Sequence, residues 1–337
     1  MQVFVRDAVE LQDAVTRLSK SGGGEILVAP GRHAVERGIR LKSNITVRGF
    51  GPSATWFYPA DDQEFDEPFF SVDEGDHPYT ENITLRDFSI DGMFTPERQA
   101  YPEKICRDFK KLEALGAKHW RMGVYLTDEF AGTWFRNVRI ENVDILRCAN
   151  GMHILSSDGV VVRNGRFEGN GCVIQHHHNL YFRRCKNVLV SEVEVASSPH
   201  GVGLNLGNGC EGFRMERSVS RDNGYRGIRF DGLESLSTDI ELVGNLIAGN
   251  CKLYGDEPAL RLHTIKGFRV ADNVFMENNT ATDLMARLVR RGEITGNRFF
   301  GRTGPQGVLV VEKEKNVKVE DNIFGATPAR GTTTAAE

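Results

Sequence analysis

The sequence lacks any apolar run that approaches the ~18 residues needed to span a bilayer, so no membrane span is predicted. It also lacks an excess of basic charge, because 42 Lys and Arg residues face 46 Asp and Glu residues, a net charge of −4. Nucleic-acid-binding proteins carry a basic patch or stripe, so we expect no nucleic-acid partner. The N-terminus lacks the basic-then-apolar pattern of a signal peptide. We therefore expect either a cytoplasmic protein or one whose signal is missing from this sequence.

The six cysteines include no CxxC pair. Cys172 and Cys251 each come shortly after an Asn, in the segments GNGC and AGNC. We expect these cysteines to pack inside the protein as small apolar side chains rather than to form disulfides or a metal site.

The dominant feature of the sequence is a repeat of about 25 residues. An Asn recurs in a similar context at Asn142, Asn164, Asn245, Asn273, Asn297 and Asn322, and Glu192 and Arg217 fill the same slot in two further repeats. Each repeat consists of short alternating segments separated by Gly and Asn, with no segment of helix length. Such a period is typical of a solenoid, in which each unit buries its apolar residues only against its neighbours. The repeat predicts an all-β, right-handed parallel β-helix of about ten coils.

The N-terminal segment 8–20 (AVELQDAVTRLSK) has apolar residues at helical spacing, at Ala8, Leu11, Val15 and Leu18. We predict an amphipathic helix that caps the open end of the first coil, whose strand edges would otherwise be unpaired. A Gly-Gly segment, a strand, a Pro-Gly turn, another strand and a Gly-x-Gly turn follow. This order resembles the beginning of pectate-lyase-like β-helices, and the resemblance implies their fold rather than a particular function.

We predict one β-helix domain over residues 1–325 and a flexible tail over 326–337, which is small and polar. Segment 93–121 interrupts the repeat and contains a probable helix. Insertions into solenoids form loops on one side, often the binding side, so we expect this segment to wall a groove. The residues expected near the ligand there are His119, Trp120 or Arg121.

A second strand in each repeat alternates apolar residues with polar ones, and alternation along a strand places the two sets on opposite faces. The outward set forms two columns. The first is predicted to contain Tyr125, His153, Tyr181, Asn205, Arg229, Arg261 and Arg287. The second is predicted to contain Thr127, Arg183, Gly207, Asp231 and His263. With coils about 4.8 Å apart, the columns form a polar stripe as long as several sugar units.

Lys and Glu are nearly absent from this stripe, although they dominate ordinary solvated sheet faces. Arg residues that neighbour each other across strands repel, so either an anionic ligand or the flanking Asp231 would explain them better than solvent exposure does. The turns before these strands add His176, His177, His178 and His200. Adjacent His residues seldom bind one ion together, so we expect substrate contacts or turn structure here rather than a metal site. No cofactor is expected; calcium stays possible, but no clear carboxylate cluster would hold it.

The succession NGCVI, PHGVGLNLG and DNGYRGIRF resembles the order of motifs in polygalacturonases. His200 matches the His of that family's turn, and Arg229 matches its strand Arg. Where the family has two consecutive Asp residues, this chain has Asn170 and Gly171. The pair of carboxylates that glycoside hydrolysis normally requires is therefore missing from that position.

The remaining His, Tyr, Arg and Asn residues resemble the sites of β-helix uronate lyases and mannuronan epimerases, in which His and Tyr exchange protons. The resemblance implies that this chain removes the C5 proton of a uronate. We expect His153 or His200 as the base and Tyr181 as the proton donor, with Arg229 and Arg261 neutralising the carboxylate. The expected substrate contacts are Tyr125, His178, Arg183, Asn205, Asp231, Arg261, His263 and Arg287.

Three other functions stay open at this stage. A glycoside hydrolase of polygalacturonase type could use an unusual acid such as Asp231. A small-molecule isomerase or cyclase could use the same fold, and so could a non-catalytic, tailspike-like module that binds glycans. The expected partner is an anionic oligo- or polysaccharide, and the sequence leaves a homo-oligomer open. The reaction product would discriminate, because only a lyase gives an unsaturated sugar and only a hydrolase releases reducing ends without one.

Overall fold

The computed structural model describes residues 1–60, 69–71, 79–93, 122–127, 134–171, 177–232, 234–301, 304, 307–311 and 316–326. The first elements are β1 (Gln2–Val5), α1 (Ala8–Lys20), β2 (Gly24–Val28), β3 (Gly31–Val35), β4 (Ile39–Arg40), β5 (Ile45–Arg48), β6 (Thr55–Pro59), β7 (Phe69–Ser71) and β8 (Tyr79–Asp91). They are followed by β9 (Met122–Leu126), β10 (Trp134–Leu146), β11 (Asn150–Leu155), β12 (Ser157–Arg163), β13 (Arg166–Glu168), β14 (Leu180–Arg183), β15 (Lys186–Ser191), β16 (Glu194–Ala196), β17 (Leu204–Leu206), β18 (Glu211–Glu216) and β19 (Val219–Arg221). The last are β20 (Ile228–Asp231), β21 (Ser237–Val243), β22 (Leu246–Ala248), β23 (Leu260–Ala271), β24 (Val274–Met276), β25 (Leu284–Thr295), β26 (Arg298–Phe300), β27 (Val308–Val311), β28 (Val317–Glu320) and β29 (Ile323–Gly325).

The strands of successive coils pair in parallel and form three stacks. One stack, here called the site stack, contains β7, β9, β11, β14, β17, β20, the first halves of β23 and β25, and β27. The second stack includes β12, β15, β18 and β21, and the third includes β13, β16, β19 and β22. The chain is thus a right-handed parallel β-helix of about ten coils, and the fold predicted from the repeat is confirmed.

The helix α1 is the predicted N-terminal cap, with the predicted bounds. It begins after Asp7, whose side chain accepts a hydrogen bond from the backbone N–H of Glu10 at 2.9 Å. One face of the helix is buried, and its buried residues are Ala8, Leu11, Ala14, Val15 and Leu18. This face covers the first coil and keeps its apolar interior from water. The helix has 13 residues. No helix in the described ranges has both the length and the apolar character needed to cross a membrane.

The interior of the coils is apolar, as the strand alternation predicts. In the site stack the inward side chains are fully buried at Val124, Leu126, Met152, Ile154, Leu180, Phe182, Leu204, Leu206, Ile228, Phe230, Leu260 and Leu262. Cys251 is also buried and forms no disulfide with any described residue, as expected, and the same holds for Cys148, Cys185 and Cys210. Cys106 and Cys172 lie outside the described residues.

The Asn repeat of the sequence contains two structural positions rather than one. Asn142, Asn164, Glu192 and Arg217 adopt positive φ angles between 46° and 56° at the corner between the second and third stacks. In later coils this position belongs to Gly244 and its equivalents Asp272, Gly296 and Asp321, which also have positive φ. The residues that follow them, Asn245, Asn273, Asn297 and Asn322, form a separate ladder of stacked amides. The prediction of a single Asn slot was therefore wrong by one residue, because the bend selects for a positive φ whereas the ladder selects for an amide.

A second amide ladder lies at the corner before the site stack, where it was predicted at Asn170, Asn223, Asn250 and Asn278. Asn250 donates to the Ser220 carbonyl at 2.9 Å and to the Asn278 amide oxygen at 3.1 Å. It also accepts from the Asn223 amide at 2.9 Å. The ladder is thus confirmed, with one addition. Asn179, which the repeat did not indicate, accepts from Asn170 and donates to Asn223.

We expect Asn250→Ala to lower the free energy of unfolding by about 1–3 kcal/mol, because the Ser220 carbonyl and the Asn223 amide would lose their buried partner. Urea denaturation measures the change. The neighbouring Asn279 is exposed and donates one hydrogen bond to the Cys251 carbonyl, so Asn279→Ala is the matched control and should cost no more than about 0.5 kcal/mol. Equal midpoints for the two variants would contradict the ladder's role.

Candidate functional site

The first outward column of the site stack has the predicted register over six coils. Cross-strand partners link, in order, Tyr125, His153, Tyr181, Asn205, Arg229 and Arg261. These side chains lie outside the apolar core, but they are not simply solvated as we expected. Asn205 is only 6% exposed, and the others are half-buried. The stripe is therefore a partly desolvated polar layer, in which charges interact more strongly than they do in water.

Arg287 does not continue the first column, and this prediction was wrong. The residue opposite Arg261 is Met285, whereas Arg287 pairs with His263 in the second column. The reason lies in the preceding alternation. Leu284 and Ala286 are both fully buried, so the residues between and after them point outward. The small side chain of Ala286 points inward, which the sequence pattern had not indicated.

Two aromatic rings meet at the N-terminal part of the stripe. The imidazole of His153 lies edge-on to the phenol ring of Tyr181, with 4.2 Å between ring centroids. Tyr125 lies on the other side of His153 at 5.6 Å. Gly207 makes room for Tyr181, because a Cβ atom there would be 2.7 Å from the Tyr181 hydroxyl. Side-chain volume at Gly207 would therefore displace the phenol from its present position.

His153 is a neutral imidazole with both ring nitrogens buried and without hydrogen-bond partners among the described residues. Burial lowers the pKa of His153 from its ordinary value to about 3, with a further contribution from the charge of Arg183. A buried imidazole whose nitrogens are both unpartnered is costly for stability. Such a group is free to accept a proton or hydrogen bond from a ligand.

The pKa of Tyr181 is shifted in the opposite direction from that of His153, so the phenol keeps its proton. Burial raises the pKa of Tyr181, although the charges of Arg183 and Arg229 oppose the shift. Its hydroxyl is therefore a donor at neutral pH. His153 and Tyr181 thus form an adjacent acceptor and donor.

Arg183 is the guanidinium whose charge acts on both of these rings. It lies in the second column, opposite Leu155. Its Nη2 donates to Glu234 at 3.0 Å, while its Nε is buried and makes no hydrogen bond to any residue the structure describes. Asn208 donates to the same oxygen of Glu234 at 3.0 Å. Part of the donor fork of Arg183 is therefore free for a ligand.

His178 is fixed in place rather than poised for chemistry. Its Nδ1 accepts the backbone N–H of Val202 at 3.2 Å, so the proton of the neutral ring is on Nε2. Nε2 lies 3.0 Å from Nδ2 of Asn205; because an imidazole N–H at Nε2 is a donor, the Asn205 amide must be turned so that its oxygen, otherwise buried without a partner among the described residues, accepts. His178 also lies beside Tyr181, with 5.8 Å between ring centroids. We conclude that His178 and Asn205 support the Tyr181 ring.

Arg229 is already paired. Its Nε donates to Asp231 Oδ2 at 3.1 Å, and its Nη2 donates to the same oxygen. The other Asp231 oxygen is 3.9 Å from His263 Nδ1, which also contacts the Thr264 hydroxyl at 2.9 Å. Burial lowers the pKa of His263, and the charge of Arg261 contributes. The predicted role of Arg229 as a free carboxylate clamp therefore does not fit its surroundings, since its fork is occupied by Asp231.

Sequence reasoning missed Arg226, in the turn before β20. Its side chain is fully buried and donates through Nη2 to Glu257. Its guanidinium carbon lies 4.3 Å from the centre of the Tyr225 ring. The signal in the sequence is the segment DNGYRGIRF, which places two Arg residues around one strand start, but the segment does not indicate which of them is buried.

Other predicted residues are less informative. His200 lies in the turn before β17, where its backbone N–H donates to Gly171 at 3.2 Å, and nothing in the structure tests its predicted role as a base. Thr127 is buried at the end of β9. His119, Trp120, Arg121, His176 and the whole of segment 94–121 lie outside the described residues, so the predicted groove wall stays a prediction.

Fold and site together define a right-handed parallel β-helix protein with a partly buried polar stripe along one stack of strands. The family model described as periplasmic copper-binding protein NosD matches residues 121–334, and the chain belongs to this family. No curated protein matches the chain.

Solved structures with the same fold differ in activity. The A-module of mannuronan C-5 epimerase AlgE4 from Azotobacter vinelandii is 16% identical with a TM-score of 0.57, covering 96% of this chain and 92% of that one. DFA-IIIase from Arthrobacter chlorophenolicus A6, in complex with GF2, is 14% identical with a TM-score of 0.64, covering 98% and 99%. The Streptococcus pneumoniae adhesin PfbA is 14% identical with a TM-score of 0.62, covering 95% and 96%. At such identities the likeness shows the fold alone.

The family description raises the question of copper. Across the residues that the structure describes, no three His, Cys, Asp or Glu side chains are grouped so that they could hold a metal ion. His178, which is central in the stripe, has both ring nitrogens engaged by Val202 and Asn205. The described residues therefore do not fit a copper centre of three or more such ligands, and we derive no reaction step through copper.

The depressed pKa of His153 predicts a pH dependence of stability. The unfolded state binds a proton near the ordinary pKa of 6.5, whereas the folded state resists protonation down to about 3. The stability that the neutral ring contributes is thus fully present above pH 6.5 and is lost as the pH falls toward 3. We expect His153→Gln to flatten this decline in urea midpoints measured from pH 7 to 4. An unchanged slope would mean that His153 titrates normally.

Proposed function

We propose that the protein acts on a uronate-containing glycan by removing the proton at C5 of a uronate, as a lyase or a C5-epimerase. The observation that carries the proposal is the edge-on contact of the His153 and Tyr181 rings, whose centroids are 4.2 Å apart. Beside them lies the guanidinium of Arg183, whose Nε makes no hydrogen bond to the described residues. A buried neutral imidazole with unpartnered nitrogens is suited to accept a proton, and a buried phenol with a raised pKa is suited to donate one.

The C5 proton of a uronate is weakly acidic because the adjacent carboxylate is already negative. An enzyme must therefore neutralise that carboxylate and stabilise the enolate-like intermediate. Arg183 is the candidate for this role, since its charge reaches both rings and its Nε has no partner in the described chain. Arg229 was our first candidate from the sequence, but Asp231 occupies its donor fork.

The low pKa of His153 at first argues against a base, because a group with a pKa of about 3 binds protons weakly. Substrate binding would change this. Burial is the larger cause of the lowered pKa of His153 and the charge of Arg183 the smaller one, and a substrate carboxylate bound to Arg183 would offset the smaller one. The base would then gain proton affinity when the substrate is in place.

The direction of proton donation decides the reaction. If Tyr181 donates to the glycosidic oxygen at C4 as the C4–O bond breaks, the product is an unsaturated sugar. If a proton returns to C5 from the opposite face, the product is the C5 epimer. The fold shared with a mannuronan C-5 epimerase is compatible with the proposal, and so is the fold shared with a DFA-IIIase in complex with GF2. PfbA has this fold too and is named an adhesin, so the fold by itself also admits a binding protein.

Tyr181→Phe should lower kcat by ~10²-fold or more while the Michaelis constant changes little, because the variant keeps the ring and loses only the proton donor. Polygalacturonate and alginate are the first substrates to test, with near-ultraviolet absorbance for elimination and proton NMR for epimerisation. Tyr58→Phe is the matched control, since Tyr58 lies in β6, away from the site stack, against Arg32.

A glycoside hydrolase, the alternative function, would give a different pattern of products and variant activities. It would release reducing ends without absorbance, lose activity in Asp231→Asn and keep it in Tyr181→Phe. That pattern would reject the lyase or epimerase proposal.

Arg183→Lys should reduce kcat/KM by about ten- to a hundred-fold, because an ammonium ion lacks the planar fork that binds a carboxylate through two hydrogen bonds. Arg214→Lys is the control, because Arg214 pairs with Glu216 and Glu241 on the second stack at comparable exposure. Equal activities in the two variants would remove Arg183 from the mechanism.

A further inference from the structure

Arg261 is a half-buried cation for which the described residues provide no partner. Its Nε is buried, and it makes no hydrogen bond or ion pair with any part of the chain that the structure describes. Its neighbours in the stripe differ, since Arg183 pairs with Glu234 and Arg229 pairs with Asp231. An uncompensated charge in a partly desolvated layer costs free energy unless a ligand supplies the opposite charge.

Arg226 is a second and independent sign of a missing anion. It is fully buried, and its Nε and Nη1 make no hydrogen bond to the residues that the structure describes. The side chain is held rigidly all the same: Nη2 donates to Glu257, and the Tyr225 hydroxyl donates to the other Glu257 oxygen at 3.1 Å. A fixed guanidinium with two unused donors is preorganised for an acceptor, and the described residues provide none.

These guanidiniums act on one another. Burial lowers the pKa of Arg226, and the positive charges of Arg229 and Arg261 add to the effect. The neighbouring carboxylates are Asp231, bound to Arg229, and Glu257, bound to Arg226. Of these three guanidiniums, Arg226 and Arg229 each pair with a carboxylate, whereas Arg261 pairs with none in the described part of the chain.

We propose that Arg261 and Arg226 form an anion subsite for an acidic group, a carboxylate or a sulfate, carried by a sugar other than the reacting one. The separation follows from the register. Tyr181 and Arg261 are three strand pairings apart, roughly 14 Å at about 4.8 Å per coil. This inference rests on the proposed function, which places the reacting sugar at Tyr181. The substrate class is then a glycan with acidic groups on at least two sugars.

Binding at Arg226 requires local rearrangement, since its free donors are covered. Glu257 belongs to the segment between β22 and β23, and its side chain is 32% exposed. An incoming anion would meet the half-buried Arg261 first. Movement of the Glu257 segment would then open the two unused donors of Arg226.

The test uses sulfate and acetate as separate probes at constant ionic strength, with thermal unfolding of the folded protein as the readout. Sulfate stabilises proteins in general, so the informative quantity is the saturable part of the Tm increase, compared between wild type and Arg261→Gln. We expect a saturable increase for the wild type with at least one probe and its loss in Arg261→Gln. Saturation by acetate would indicate a uronate, and saturation by sulfate alone would indicate a sulfated sugar.

Arg269→Gln is the matched control and should keep the wild-type response, because Arg269 pairs with Glu293 on the second stack at 3.0 Å. Arg226→Gln should weaken the response if it folds; if it does not fold, the result for the half-buried Arg261 decides alone. A response equal in wild type and Arg261→Gln, or absent with both probes, would overturn the subsite. Loss of turnover in Tyr181→Phe does not enter this test, so the subsite and the proposed reaction can fail separately.

Discussion

The structure depends on the parallel hydrogen bonding of each coil to the next. Backbone groups in a parallel solenoid find their partners one coil away rather than across a hairpin, so every coil must stay in register with its neighbours. The consequence is that each side-chain position is stacked on the same position of adjacent coils about 4.8 Å away. Favourable self-contacts are then repeated along the molecule, and so are unfavourable ones.

Inside the coils this constraint favours residues that pack well against their own kind. The rings of Phe275, Phe299 and Phe324 stack in successive coils, with 4.6 and 5.1 Å between centroids. Buried Asn residues form ladders in which each amide bonds both its neighbour and a backbone carbonyl. On the site stack the same constraint brings Arg229 and Arg261 together, where repulsion is costly. Asp231 offsets the charge of Arg229 but leaves that of Arg261, so the stripe is polar at its aromatic end and positive at its other end.

Much of the fold could be predicted from the sequence, because a solenoid repeats its local rules. The apolar alternation gave the inward faces, and the helical spacing of 8–20 gave the cap with its observed bounds. The errors occurred where one residue type serves two positions. Asn245 and Asn142 look alike in sequence, but one is a ladder amide and the other a bend residue with φ near 54°. Ala286 looks too small to mark an inward position, and so Arg287 was assigned to the wrong column.

By itself the sequence determined the class of fold, the stack that carries the polar stripe and the order of its residues, because period and alternation are local properties of the chain. Only the tertiary structure decided what those residues can do. Which guanidinium is free depends on contacts between residues distant in sequence: Glu234 with Arg183, and Glu257 with Arg226. The desolvation that keeps His153 neutral and Tyr181 protonated is likewise a property of the packed layer. Burial and the pairs of Arg183 and Arg226 are set by residues about 25 or more positions away along the chain, which no local pattern records, whereas the pair of Arg229 with Asp231 is local, two residues apart.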